Sequence, residues 1–382
     1  MKFDFVVFGA TGLQGRICAR DLLNSGYKVL LCGRDASGVT FLLKNKNAKF
    51  QNLDLRNYKD VVKIITLSGA KVVVNCAELT YNIQVMKVCL EAKKSLTDLG
   101  GLQKITKEQF KLHNAFRENN LICITGCGST PGISNVMASY AVRAFDSIET
   151  INLGFAWDSN IKKFVVPYSM QSIFEEFTSS PILYHNGRFI KENRARCVGT
   201  RNFKGIGEQT AYCIVHSEVY TFARYFKNNG LKNVNYFAGF PEHSIRVIKA
   251  LIETGFNSNN EINIAGERIK PAEFTLNVLK KIRMPAGYKE TENIWVEVEG
   301  LKKGKKKKVE MNCIVKTISG WEEAGSNVDT GRTISIISQM IQTGLIKESG
   351  VYSPEAVIPC ETFFEELAKR KMWVYMNEKP IN

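Results

Sequence analysis

The chain has 382 residues, room for a cofactor-sized domain and one further domain. Its 44% apolar and 23% charged residues exclude a disordered or fibrous class, and no apolar run reaches transmembrane length. The net charge of +15 admits nucleic acid, a membrane surface or an anionic ligand. Six lysines, however, fall between Lys302 and Lys308, in a turn without the interleaved aromatics of a nucleic-acid groove, so neither nucleic acid nor membrane is expected as a partner. Ten cysteines without a Cys-x-x-Cys pair and four histidines without His-x-x-x-His spacing argue against a metal site. They fit buried thiols in a reducing cytoplasm, and the N-terminus enters a strand at once, unlike a signal peptide.

The first predicted strand ends in Gly9-Ala-Thr11-Gly12-Leu13-Gln14-Gly15, and Ile17, Leu22 and Leu23 follow at helical spacing. Glycines are needed in such a turn because anionic phosphates must approach the main chain closely and the helix must lie against the strand. The N–H groups at the helix start then face the anion. The spacing is G-x-x-G-x-x-G, so a glycine-rich surface turn competes with a dinucleotide site, and the preceding strand favours the site. A second strand, Tyr27 to Cys32, ends in Gly33-Arg34-Asp35. A carboxylate there would select the ribose 2′-OH of NAD, and an arginine the 2′-phosphate of NADP. Arg34 comes first, which favours NADP(H). NAD(H) is the alternative, as is an Asp35 that turns inward beside a solvated Arg34.

Strands predicted at Lys49–Leu53, Val72–Cys76, Ser95–Leu99 and Ile122–Thr125 alternate with helices at Tyr58–Leu67 and Asn82–Ala92. This alternation predicts a Rossmann-type, doubly wound parallel α/β sheet. Ligands bind at the carboxyl ends of such strands, which singles out Asp54, Leu55, Asn75, Cys76, Ala77, Asp98, Leu99, Gly100, Gly126 and Gly128. Each alone also fits ordinary loop chemistry.

From about Ile148 the pattern changes to antiparallel-looking strands at Glu149–Phe155, Cys213–Phe222, Val234–Phe240, Ile294–Glu299 and Val309–Thr317. Helical spacing marks Ser169–Phe177, His243–Thr254 and Pro271–Lys281, then Gly331–Leu345, Pro354–Val357 and Glu361–Lys371. A second α+β domain with a mixed or antiparallel sheet is predicted. The expected division is 1–128, 129–340 and a helical segment 341–382 that packs back on the first domain.

Ser129 to Asn135 reads as a helix start capped by Thr130, with Pro131, Gly132 and Asn135 as candidates for a substrate carboxylate. A plain interdomain connection is the alternative. Tyr168, Ser169 and Glu176 lie on or beside one helical face, where Glu176 could orient an ammonium or be a solvated carboxylate. His216 and Glu218 point to the same side if they lie in a strand. They could relay a proton, or form a structural pair or dimer contact. Arg224 and Arg332 are further candidates for substrate carboxylates.

Several segments together resemble the saccharopine dehydrogenase family, in its saccharopine reductase, lysine-ε-dehydrogenase-like and carboxynorspermidine dehydrogenase-like branch. They are Gly9–Gly15, Val74-Asn-Cys-Ala77, Thr97-Asp-Leu-Gly-Gly101, Gly126-Cys-Gly-Ser-Thr-Pro-Gly-Ile-Ser-Asn135, Thr330-Gly-Arg332, Gly350-Val-Tyr-Ser-Pro-Glu355 and Phe363-Phe-Glu-Glu-Leu-Ala368. The resemblance implies an NAD(P)-dependent oxidoreductase acting on a CH–NH or CH–NH2 group of an amino acid or related amine. It also implies a second domain closing over the substrate, a homodimer, and Asp98 bordering the nicotinamide among catalytic candidates with His216 and Glu218. Arg332 and the region 158–300 depart from the family pattern. NAD-dependent oxidative deamination of the lysine 6-dehydrogenase type is the alternative reaction, and a non-catalytic NADP(H)-binding sensor or scaffold the alternative class.

Overall fold

The computed structural model describes residues 2–193 and 197–382. The first part contains β1 (Phe5–Phe8), α1 (Leu13–Asn24), β2 (Val29–Gly33), β3 (Ala48–Asn52), α2 (Tyr58–Ser68), β4 (Val72–Asn75), α3 (Asn82–Ala92), β5 (Ser95–Asp98), α4 (Gln103–Phe110), α5 (His113–Glu118) and β6 (Ile122–Ile124). The strands pair in parallel in the order β3-β2-β1-β4-β5-β6. The direction of winding reverses between β1 and β4, which opens a crevice at the carboxyl ends of the strands. The inner strands β1, β2 and β4 are near-continuous apolar runs because both faces are covered, while the edge strand β3 is largely exposed. Phe5, Val7, Leu31 and Val74 enter one core, while Val6, Phe8, Leu30 and Val73 enter the other.

The chain continues through α6 (Ile133–Val142), β7 (Ser147–Ser159), α7 (Met170–Thr178), β8 (Ile182–His185), β9 (Arg188–Lys191), β10 (Val198–Phe203), β11 (Gly207–Cys213), α8 (Glu218–Phe226), β12 (Asn233–Gly239) and α9 (Glu242–Glu253). A small hairpin, β13 (Ile262–Ile264) and β14 (Glu267–Ile269), and α10 (Pro271–Leu279) precede the long hairpin β15 (Glu290–Lys302) and β16 (Lys305–Lys316). Last come α11 (Val328–Gln342), β17 (Gly350–Tyr352), α12 (Pro354–Val357), α13 (Cys360–Lys369), β18 (Trp373–Met376) and β19 (Lys379–Pro380). The second sheet runs β10-β11-β12-β7-β15-β16-β18-β19 and is mixed, as β12 pairs with β7 in parallel among otherwise antiparallel neighbours.

The stretch Cys213–Phe222, expected as one strand, is divided. β11 ends at Cys213, and α8 buries Val219, Phe222 and Phe226 at helical spacing, so helical periodicity prevails from Glu218 onward. The C-terminal stretch, expected as helices, also supplies two strands. β17 adds to β6 in the first sheet and β18 adds to β16 in the second, and runs this short carry too little alternation to be read from sequence. The expectation of free thiols throughout fails at one pair. Cys197 and Cys213 sit opposite each other where the β10–β11 ladder ends, with Cα atoms 5.4 Å apart, and are joined in a disulfide. No helix among the described residues is long and apolar enough to cross a membrane.

One apolar core joins the two sheets without a break. It takes in α1, α6, α11 and the inward face of the second sheet, including Leu153, Phe155, Tyr236, Ile294 and Val296. α11 lies against α1 so closely that a Cβ at Gly331 would come 2.5 Å from Ile17. By strand alternation, Glu290 and Glu292 share the face of Ile294, which looks toward the first sheet.

Candidate active site

The loop after β1 is shaped by close backbone packing. Gly9 has φ +66°, and a Cβ there would come 2.7 Å from the Ala77 nitrogen; one at Gly15 would come 2.1 Å from the Gly9 carbonyl oxygen. Gly12 is exposed at the N-terminus of α1, where no side chain caps the helix and no acid lies in the first turn. This uncapped positive helix end fits the pyrophosphate of a dinucleotide. Leu13 packs on the core, and Thr11 lies against Gly33 at the end of β2. The Gln14 side chain donates to Asn327 Oδ1 at 2.9 Å, and Asn327 donates to the Pro167 carbonyl at 2.9 Å, tying the loop to the second domain.

At the ribose end, Arg34 and Asp35 are exposed. The Asp35 carboxylate accepts from the Ser37 backbone at 3.1 Å and from Ser37 Oγ at 2.5 Å, bonds that hold its pKa down. Asp35 is thereby occupied in its own turn, while the Arg34 charge lies at the strand end within reach of Asp54. Asp54 is gripped by Arg56, with Nε at 2.9 and 3.0 Å. Those bonds, helped by the Arg34 charge, lower its pKa to about 2. Leu55 uses its carbonyl to accept from Gln84.

The ends of β4, β5 and β6 complete the crevice. Asn75 braces the Cys76–Ala77 turn, accepting from the Ala77 nitrogen at 3.2 Å and donating to Asn82 at 2.9 Å. Asp98 has no exposed surface and accepts from Gly100 N at 2.7 Å, Gln109 Nε2 at 2.6 Å and Thr125 Oγ1 at 3.0 Å. Burial lifts its pKa to about 6 against the pull of these bonds. Enclosed in this way, Asp98 holds the Leu99–Gly101 loop and has no surface open to the crevice. Gly100 and Gly126 are so close that a Cβ on Gly100 would lie 2.6 Å from the Gly126 Cα, with Gly128 following under Thr330.

The expected helix start at Thr130 and Pro131 is also corrected. The Thr130–Pro131 peptide is cis and α6 is capped at Gly132, whose N–H goes to Asn135 Oδ1 at 2.7 Å. The Ile133 and Ser134 N–H groups bond to the Gly128 and Ser129 carbonyls at 3.1 Å each, and Asn135 Nδ2 donates to Glu355 at 2.7 Å. These N–H groups are occupied, and Pro131, Gly132 and Asn135 build a buried knot.

The second domain places ionisable groups beside this crevice. Ser217 N donates to the Gly101 carbonyl at 3.0 Å, seating His216 against the end of β5. His216 and Glu218, the last five residues beyond β11, are not on a strand; the pair forms because Glu218 begins α8 and turns back to His216 Nδ1. Glu218 is fully buried and also accepts from Ser134 Oγ at 3.0 Å. His216 stacks on Tyr236, ring centres 4.0 Å apart. Burial opposes its protonation, but Glu218 and then Glu176 outweigh it and the His216 pKa rises. Glu176 is buried and receives the Tyr168 hydroxyl at 2.5 Å; burial lifts its pKa to about 7, with His216 and Tyr168 pulling the other way.

Three substrate candidates lie elsewhere. Ser169 is exposed and caps α7 by accepting from Ser172 N at 3.3 Å. Arg224 is exposed with its guanidinium 4.8 Å above Phe110, a residue of the core on the far face of the first sheet. Arg332 stacks 4.2 Å over Trp321 and donates to the Arg370 carbonyl at 2.8 Å, so it braces α11 against the C-terminal segment. Sequence reasoning missed Tyr236, on whose ring His216 stacks.

The saccharopine dehydrogenase NADP binding domain model matches residues 5–124, and the saccharopine dehydrogenase C-terminal domain model matches residues 128–372. A carboxyaminopropylagmatine dehydrogenase from Synechocystis is 23% identical over 353 residues, covering 89% of this chain and 87% of the relative. A carboxynorspermidine synthase from Vibrio alginolyticus is 24% identical over 287 residues, covering 70% of this chain and 66% of the relative. In fold the chain is similar to apo saccharopine dehydrogenase (L-Glu forming) from Saccharomyces cerevisiae, with TM-score 0.77 and 12% identity over 98% of this chain and 99% of that one. It is similar also to the NAD complex of homospermidine synthase from Legionella pneumophila, with TM-score 0.68 and 13% identity over 99% and 92%. The chain belongs to the saccharopine dehydrogenase family and is an NAD(P)-binding oxidoreductase that acts on the C–N bond of an amine.

Proposed function

We propose that this enzyme uses NADP(H) to make or break the C–N bond of a carboxylated polyamine, with His216 as the proton donor. The observation that carries the reading is the buried His216, held between Glu218 and Tyr236 and seated by Ser217 on Gly101 at the carboxyl end of β5. The names of the two sequence relatives, a carboxyaminopropylagmatine dehydrogenase and a carboxynorspermidine synthase, support the substrate class.

The loop Gly9–Gly15 and the start of α1 would hold the pyrophosphate. Arg34, exposed at the strand end while Asp35 bonds Ser37, would meet the 2′-phosphate and so favours NADP(H) over NAD(H). Bound there, the cofactor supplies hydride at its nicotinamide C4. In the reductive direction His216 gives its proton to the imine nitrogen while hydride reaches the imine carbon, leaving a secondary amine. Glu218 keeps the imidazole charged and oriented beforehand. Glu176, with Tyr168, faces the ammonium end of the amine. The same reading takes the enzyme to be a cytoplasmic homodimer, supported by the unpaired buried cysteines and by exposed Phe274, Val278 and Ile282 along one side of the molecule.

The test is nicotinamide absorbance with amino-acid semialdehydes and amines offered together, and with their conjugates in the reverse direction, alongside fluorescence titration with NADPH and NADH. Turnover with a semialdehyde and a diamine is the expected result. NADPH binding without turnover across the panel would favour a sensor or scaffold instead, and tighter NADH binding would remove the role of Arg34.

A further inference from the structure

A carboxylate can fix an imidazole only if it is itself fixed. Glu218 has no exposed surface, so its oxygens must find their donors within the protein. On Oε2 it meets His216 Nδ1 and the Ser217 hydroxyl, the latter at 3.3 Å. Both partners lie within two residues of Glu218 and would move with it. On Oε1 it accepts from Ser134 Oγ at 3.0 Å, across 84 residues of sequence, and this bond ties the start of α8 to the start of α6.

Ser134 is held in turn. It is fully buried in the first turn of α6, and its N–H is bonded to the Ser129 carbonyl at 3.1 Å. Beside it, Asn135 accepts from Gly132 N at 2.7 Å and donates to Glu355 Oε2 at 2.7 Å. Glu355 stands in the first turn of α12, directly after β17, which is paired with β6. The Ser134 hydroxyl is therefore anchored to the first sheet. It has one proton to give, and the charged Glu218, at 3.0 Å, takes it ahead of Asn135 Oδ1 at 3.3 Å. The imidazole at the other end is confined by the Tyr236 ring, and Glu218 and Glu176 are the charges that act on it. With Nδ1 on Glu218, Nε2 is the ring nitrogen left to meet a substrate.

We propose that Ser134 is a positioning residue for the proton transfer: its hydroxyl fixes the Glu218 carboxylate, and the carboxylate fixes the His216 ring so that Nε2 delivers the proton. The proposal rests on His216 as the proton donor. In the reductive step the Nε2–H bond breaks, the new N–H bond forms on the imine nitrogen, and the imidazole is left neutral. The Nδ1 proton stays in its bond to Glu218, and Ser134 neither gains nor loses a proton.

The test follows the His216 ring by NMR in protein labelled with 13C-histidine, its signal assigned by its loss in His216→Asn. In Ser134→Ala the carboxylate loses a donor that stabilises its charge and so holds the His216 proton more tightly. The His216 titration should move up by about one unit, the usual worth of a hydrogen bond to a charged group, and the alkaline limb of kcat should move with it. Ser134→Cys, which puts a weaker donor in the same place, should give a smaller shift in the same direction. Val136→Ala opens space in the same buried helix without removing a donor; it should lower the melting temperature and leave the titration in place. Melting temperature and NADPH affinity verify the fold of each variant, and either Ser134 variant that folds decides the question. A His216 titration unmoved there, or moved as far by Val136→Ala, would overturn the positioning role. An unchanged kcat in His216→Asn would instead overturn the proton-donor reading and take the positioning role with it. The titration is read without substrate, so the two failures are told apart.

Discussion

The two walls of the site recognise ligands in different ways. On the cofactor wall the surface is main chain: an exposed Gly12, an uncapped helix end, and glycines 9 and 15 packed too closely for any Cβ. On the proposed substrate wall it is ionisable side chains, with Glu176, His216 and Glu218 each at most 7% exposed. Main-chain recognition requires particular residues at fixed spacing within one turn. Side-chain recognition requires only one inward residue on each of several distant elements, so it can be altered without rebuilding the backbone. A family can keep the first wall and vary the second.

The contrast predicts graded effects. Gly12→Val should be the most severe for function: its Cβ has only the Gly9 carbonyl nearby, at 3.3 Å, so the fold survives. NADPH affinity, measured by fluorescence, should fall by about a thousandfold, since the pyrophosphate loses its approach to the helix end. Gly15→Val, against backbone at 2.1 Å, should instead lower the melting temperature sharply, and a normal melt would break the comparison. His216→Asn should lower kcat by about a hundredfold or more at unchanged NADPH affinity.

Glu176 sharpens the contrast through pH. Its pKa of about 7 means the carboxylate is lost as pH falls through neutrality, so kcat/KM for a cationic amine should drop about tenfold per unit below pH 7. Glu176→Gln should remove that acidic limb while leaving an alkaline limb set by His216, whose pKa is raised. A profile with both limbs intact in the variant would exclude Glu176. The smallest effect belongs to exposed Arg34: Arg34→Ala should weaken NADPH by about tenfold and NADH hardly at all.

Physical differences between the walls also explain how far the sequence could be read. Six strands of the first sheet were legible because they recur in alternation with helical spacing and the inner ones are apolar runs closed by turns, and the glycine loop because its spacing is local. β17 and β18 were not, as three- and four-residue strands carry too little alternation. His216, Glu218, Glu176 and Tyr168 were found as residue types in suggestive spacing, yet the strand assumed for His216 and Glu218 was wrong because Val219, Phe222 and Phe226 drive a helix there. Arg224 and Arg332 illustrate the opposite error. A guanidinium suits a carboxylate, but it equally suits an aromatic face, and only packing shows which it found.

The pairing of β17 with β6 has a consequence for how the chain is made. Residues 5–124 leave the ribosome first, but the strand that closes their sheet comes from Gly350–Tyr352, and the helix that covers α1 comes from Val328–Gln342. More than half of the chain must be translated between β6 and β17. Throughout that interval the nascent sheet presents an open edge and an uncovered apolar helix face to solvent, the conditions under which strands pair with the wrong partner. The vulnerable period in the life of this enzyme is therefore its synthesis, and a ribosome stalled before residue 328 would hold a cofactor domain that is visible to chaperones and proteases alike.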